Sequence, residues 1–163
     1  MRTTWRWPRD HDESDLIVSE MDEVIPALVA AVQEQHATGD HYRDDAIRQA
    51  MEHQAQLALR PGPVRVDVIV DPPWSDGQIN SVQVVTGDRP FLVDTVVSCL
   101  LRHGWRVEDV RHPIIGVKRD RGTIEAVGTP GRGGCASESW IHIDVTAPLG
   151  TDIGQAAEQL RDD

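Results

Sequence analysis

The chain has 163 residues and a formal net charge of −11 at pH 7, enough length to bury one core without disulfide or metal staples. That acidic balance excludes a general nucleic-acid binder, whose affinity comes from Lys and Arg on phosphates. No apolar run approaches transmembrane length, and the opening MRTTWRWPRDHDESD has no apolar core of a signal peptide, so a cytoplasmic chain that binds no membrane is expected.

Residues 1–15 are polar and charged, with Trp5 and Trp7 as possible anchors of a mobile arm. Leu16-Ile17-Val18 is a short apolar step. Met21, Val24, Ile25, Leu28, Val29 and Val32 then recur at helical spacing. Pro26 conflicts with a helix starting at Ser19, so a kink or restart near residues 22–26 is expected. After Gly39, Asp40 is a candidate cap for a second helix. Tyr42, Ala46, Ile47, Ala50, Met51, Gln54, Leu57 and Ala58 form its weakly apolar stripe, and Arg60-Pro61-Gly62-Pro63 stops it. Residues 1–63 thus read as an arm and a helical hairpin that leans on something larger.

Val64–Val70 alternates almost strictly and is a strand; Asp71–Gly77 is loop. Ile79–Val85 is a second strand, with Val82 and Val84 on one face and Ser81 and Gln83 on the other. Thr86–Pro90 breaks the pattern, with Asp88 the better candidate for a helix N-cap and Arg89 the alternative. Leu92, Val93, Val96, Val97 and Leu100 mark a helix over residues 91–103, and Gly104 occupies the position of a left-handed C-terminal residue. A long strand runs from Trp105 toward Lys118, with Pro113 implying an edge or bulge. Thr123–Val127 returns after the Asp120-Arg121-Gly122 turn, and GTPGRGGCAS is a flexible loop. In Glu138–Thr146, Ile141, Ile143 and Val145 face one way, and Trp140, His142 and Asp144 the other. Asp152 caps a last helix that the chain leaves two turns in, which reads as a truncation.

The central unit carries a resemblance. Arg89-Pro90-Phe91-Leu92-Val93-Asp94-Thr95-Val96, then His112-Pro113-Ile114-Ile115, then Glu138-Ser139-Trp140-Ile141-His142-Ile143 resemble the N-terminal ACT-domain region of the large bacterial NAD-specific glutamate dehydrogenases. The likeness covers roughly residues 60–160; the first 40 match less well. It implies an α+β fold: an antiparallel ferredoxin-like (ACT-type) sheet over residues 64–163, truncated in its second helix. It also implies a parent enzyme that uses NAD to convert glutamate to 2-oxoglutarate and ammonia. The partners implied are the remaining domains of that parent chain, further copies in a homo-oligomer, and a small amino-acid ligand.

Several patterns compete for chemistry. GTPGRGGC lacks the Lys-Ser/Thr pair of a phosphate loop and precedes a strand. No G-x-G-x-x-G opens a helix, so no cofactor is expected on these residues and the fragment itself is expected to be inactive. Cys99 and Cys135 make no disulfide framework, and nothing near Cys135 in sequence lowers its pKa. His112, His142 and Asp144 are a conceivable metal set; the alternative, preferred here, is that His112, Glu138, Trp140, His142 and Asp144 form a structural polar patch.

The candidate ligand site is Gly87, Asp88, Arg89, Pro90 and Phe91, because a helix N-terminus presents free N–H groups that suit a carboxylate. Against it, Asp88 is expected to satisfy those N–H groups itself. In ligand-binding ACT domains the residue after the proline is typically glycine; Phe91 there is expected to plug the site, the other placement being a ring turned into the core. The function expected is a non-catalytic regulatory or assembly module. The alternatives are a stand-alone amino-acid sensor, a purely structural dimerisation module, and a small metal hydrolase. Two placements follow for the fold: Val64–Val70 joins the sheet beside Ile79–Val85, and the face carrying Trp140 is covered, by a second copy or by residues 20–59.

Overall fold

The computed structural model describes residues 16–18, 21–35, 44–75, 77–150 and 152–161. In chain order the elements are β1 (Leu16–Val18), α1 (Met21–Gln35), α2 (Asp44–Ala58), β2 (Val64–Ile69), β3 (Asn80–Gly87), α3 (Leu92–Arg102), β4 (Arg106–Arg111), β5 (Ile114–Asp120), β6 (Thr123–Gly128), β7 (Ala136–Thr146) and α4 (Ile153–Arg161). All strands join one antiparallel sheet in the order β1-β6-β5-β7-β3-β2, with β4 also on β7.

β7 is the spine. One edge pairs with β3 from Glu138 to Val145; the other pairs with β5 at its start and β4 at its end. The expected single strand from Trp105 is two strands, broken at His112-Pro113. Proline has no N–H for the ladder, and the Pro113 carbonyl accepts from Trp140 N at 3.0 Å across the break. β2 lies beside β3 in unbroken register, Val64 opposite Thr86 and Val68 opposite Val82. The leading strand therefore fills the outer position beside β3, as its alternation led us to expect.

Because side chains alternate along a strand, β7 has two interiors. Ile141, Ile143 and Val145 pack with Val82, Val84, Val68, Leu100, Trp105 and the α4 residues Ala156, Ala157 and Leu160. Trp140 points the other way and packs with Val85, Ile115 and Val117 of the sheet and Val24, Leu28, Val32, Met51 and Leu57 of α1 and α2. The hairpin is thus the cover of the second face, giving helix, sheet and helix layers. α1 runs through Pro26, which is exposed, so the expected restart at residues 22–26 is absent. Leu16–Val18, read only as an apolar step, is a strand on β6. The readings of Trp5, Trp7, Asp40 and Tyr42 fall outside the described residues.

Local signals explain α3. Its apolar stripe faces the second core, and its C-terminus closes with Gly104 at φ +78°. Gly104 N donates to Leu101 O and Trp105 N to Leu100 O, both at 3.0 Å, satisfying two carbonyls that a helix end otherwise leaves open. Leu100 and Trp105, joined by that bond, are both buried.

Trp140 is fully buried between sheet and hairpin. Trp140→Ala is expected to lower unfolding free energy by about 3–5 kcal/mol, measured by denaturant titration, and to expose α1 and α2 to protease before the sheet. A loss below about 1 kcal/mol would show that the hairpin does not seat on this ring.

Candidate functional site

The loop from Gly87 to Phe91 connects β3 to α3 and is fixed from the far end of the chain. Asp88 N donates to Ser137 O at 2.9 Å. Ser139, fully buried, donates its hydroxyl to Asp88 Oδ1 at 2.6 Å. A hydroxyl has one hydrogen, so the 2.9 Å contact between Ser139 Oγ and His112 Nε2 makes His112 the donor and places its proton on Nε2. Asp88 therefore faces Ser139 and does not cap α3, contrary to the expectation from sequence. The N-cap is Phe91, in the left-handed region at φ 65°, ψ 12°, with no side-chain cap bond. The first helical bond is Thr95 N to Phe91 O, reinforced by Thr95 Oγ1 on the same carbonyl at 2.8 Å. The N–H groups of Leu92, Val93 and Asp94 precede that first bond and have no acceptor within the helix.

These residues open onto a cleft of about 450 Å³ lined by Asp88, Arg89, Pro90, Phe91, Leu92, Val93, Asp94, His112 and Ile114. Its charges are mixed: Arg89 against Asp88 and Asp94. Phe91 is 77 % exposed. It does not turn into the core; it stands as one wall of the cleft. A bulky side chain at positive φ costs about 1–2 kcal/mol of backbone energy, which explains why glycine suits this position in general. Gly87, at the end of β3, is exposed and has open space where a Cβ would be.

The five polar residues expected to form one patch divide among three sites. His112 belongs to the cleft. Glu138 receives Arg119 through two bonds, Nε to Oε1 at 2.6 Å and Nη2 to Oε2 at 3.1 Å, and Trp140 Nε1 at 3.3 Å. His142 and Asp144 lie under α2 in a seam that sequence reading did not assemble. Gln83 Nε2 donates to Ala50 O at 2.8 Å and to His142 Nδ1 at 2.9 Å, while His53 Nδ1 bonds Gln83 Oε1 at 2.8 Å. With Nδ1 accepting, His142 donates from Nε2 to Asp144 Oδ1 at 3.0 Å. Ser81 Oγ donates to the same oxygen at 3.0 Å, itself receiving Trp74 Nε1, and Arg111 Nη2 reaches Asp144 Oδ2 at 3.1 Å. Gln54 ties α2 back to the Ile141 carbonyl at 2.9 Å. The signal was present: Ser81 and Gln83 share the face of His142 and Asp144 across the β3–β7 register.

Burial holds the His142 imidazole below its ordinary 6.5; the hydrogen bond to Asp144 works against this, and the Arg111 charge reinforces it. Burial also pushes the Cys135 thiol up, so it is a poor nucleophile, and no disulfide joins Cys99 and Cys135. Among the described residues no three His, Cys, Asp or Glu side chains converge as metal ligands, and no helix is long and apolar enough to cross a membrane.

An antiparallel α+β sheet with α3 and α4 on one face and an open helix N-terminus beside its first central strand is the architecture of an ACT-type domain. The family profile "Glutamate dehydrogenase, ACT1 domain" matches residues 26–162. The chain belongs to that family. No solved structure shows a significant match to it.

The His142 arrangement sets a pH dependence. Its folded-state pKa is depressed, so the unfolded chain takes up a proton first. The His142 contribution is fully present above about pH 6.5 and is lost as pH falls from there through the depressed native value. The urea midpoint is expected to fall between pH 7 and pH 5, and the slope to flatten in His142→Gln. An unchanged slope in that variant would contradict the neutral, buried assignment.

Proposed function

We propose that this chain is a non-catalytic regulatory or assembly module of a large NAD-dependent glutamate dehydrogenase, acting in the cytoplasm. The parent reaction on this reading is oxidative deamination of glutamate to 2-oxoglutarate and ammonia. NAD and the chemistry belong to other parts of that protein. The partners are the remaining domains of the parent and further copies of the chain.

The observation that carries the non-catalytic reading is where the reactive side chains are spent. His142 and Glu138 are buried and bonded within the sheet, His142 to Gln83 and Asp144, Glu138 to Arg119 and Trp140. His112 is tied to Ser139, and the Cys135 thiol is buried and of raised pKa. A catalytic acid, base or nucleophile needs access to substrate and a pKa near working pH; these groups serve packing.

A second reading, the amino-acid sensor, is favoured by the cleft at α3. Free helix N–H groups and Arg89 suit an α-carboxylate, and Asp88 and Asp94 suit an α-ammonium. Against it, the cleft is open, and Phe91 takes the place where a glycine would let a ligand close on the backbone. We expect the chain to bind no free amino acid more tightly than about 1 mM, some −4 kcal/mol. Isothermal titration with a panel of amino acids checks this. A micromolar constant that weakens in Arg89→Ala would replace the assembly reading with the sensor.

A further inference from the structure

The arm of residues 1–15 lies outside the described residues, but the sheet fixes its point of departure. Leu16 stands opposite Gly128, Gly128 opposite Gly116, and Gly116 opposite Ser137, whose carbonyl accepts from Asp88 N. β1 runs antiparallel to β6. The arm therefore leaves at the end of the sheet where β6 and β3 finish and where β5, β7 and α3 begin. That end holds the α3 cleft. With strands about 4.8 Å apart, Leu16 is roughly 15–20 Å from Asp88. Trp7 is nine positions before Leu16, a length that spans up to about 30 Å when extended.

The cleft and the arm have complementary chemistry. Phe91 is exposed in a left-handed backbone, a costly conformation that holds the side chain at the mouth of the cleft. Leu92, Val93 and Ile114 are half-buried beside it, and Asp88 and Asp94 are exposed at the rim. Residues 1–9, MRTTWRWPR, carry Trp5, Trp7, Arg2, Arg6 and Arg9 and no acid, in a chain of net charge −11. Residues 10–15, DHDESD, hold no apolar side chain and serve as a polar spacer.

We propose that the arm docks on its own domain, with Trp5 and Trp7 packed on Phe91 and the apolar wall of the cleft and the arginines at the Asp88–Asp94 rim. Pro8 biases Trp7 to an extended backbone. Residues two apart on an extended chain point to one side, so both indoles reach the cleft together. Aromatic rings pair favourably edge to face, and Arg adds attraction to a ring face. A short tether supplies an effective concentration of about 1 mM or more, so a contact weak between separate molecules is populated when linked. This self-cover goes beyond the module reading above and does not depend on what the parent catalyses.

The test is NMR on the 163-residue chain. Nuclear Overhauser contacts are expected from the Trp5 or Trp7 indole to Phe91 and Ile114, within one molecule and unchanged by dilution. The Trp5→Ala, Trp7→Ala double variant should lose them and shift the amides of residues 89–94 and 112–114, while α2 amides stay in place. Phe91→Gly, which also relieves the positive φ, should speed exchange of the arm amides at least about tenfold, with circular dichroism unchanged. Contacts seen only between labelled and unlabelled copies would overturn the proposal in favour of a second copy's arm. Absence of contacts, with cleft amides unmoved in the double variant, would overturn it outright. Amino-acid binding is read by its own titration, so failure here leaves the module reading standing.

Discussion

β7 is buried on both faces, and the rest of the structure answers to that constraint. A strand whose one face is Ile141, Ile143 and Val145 needs an apolar cover, which α3 and α4 provide. Its other face is Glu138, Trp140, His142 and Asp144, three polar groups around one large ring. Covering that face with helices removes water from a carboxylate, an imidazole and a second carboxylate at once. Burying a charge without a partner is costly, so the cover must bring or find the missing hydrogen bonds. Arg119 answers Glu138 and Arg111 answers Asp144. Gln83 stands between His142 and α2, bonding both.

This arrangement makes the helical hairpin part of the domain. α2 touches the sheet through reciprocal amide bonds, Gln83 to the Ala50 carbonyl and Gln54 to the Ile141 carbonyl, above an apolar contact on Trp140. Apolar packing alone would tolerate a sliding helix; two directed bonds in opposite senses fix its register on β3 and β7. The cleft at α3 is at the opposite surface, and its own fastening is separate, through Asp88, Ser139 and His112. Among the described residues the one left-handed aromatic is Phe91, exposed where the loop meets solvent.

Much of this was legible because it is local. The α3 stop was readable from Gly104, and the two faces of β7 and β3 from strict alternation. The ACT-type fold followed from three motifs in order, and the covered face from Trp140 pointing away from α3. What escaped depends on partners far along the chain. Asp88 looked like a helix cap because sequence shows its neighbours and hides Ser139, 51 residues away. The single polar patch divided because His112 lies at a break between strands, while His142 lies two residues beyond Trp140 on the spine. Leu16–Val18 is too short to show a period, and only its pairing with β6 makes it a strand. Pro26 argued for a restart that α1 does not make; the helix runs through it from Met21 to Gln35, with Pro26 exposed.

The central claim is that the hairpin and the sheet form one cooperative unit, joined at Trp140 and the Gln83–His142 seam. Native-state hydrogen exchange under increasing denaturant tests it most directly. The account predicts that amides of Met51, Gln54 and Ala55 in α2 exchange with the same free energy as Ile141 and Ile143 in β7, through global unfolding. Exchange of the α2 amides by a separate, lower-energy opening, with β7 still protected, would contradict it.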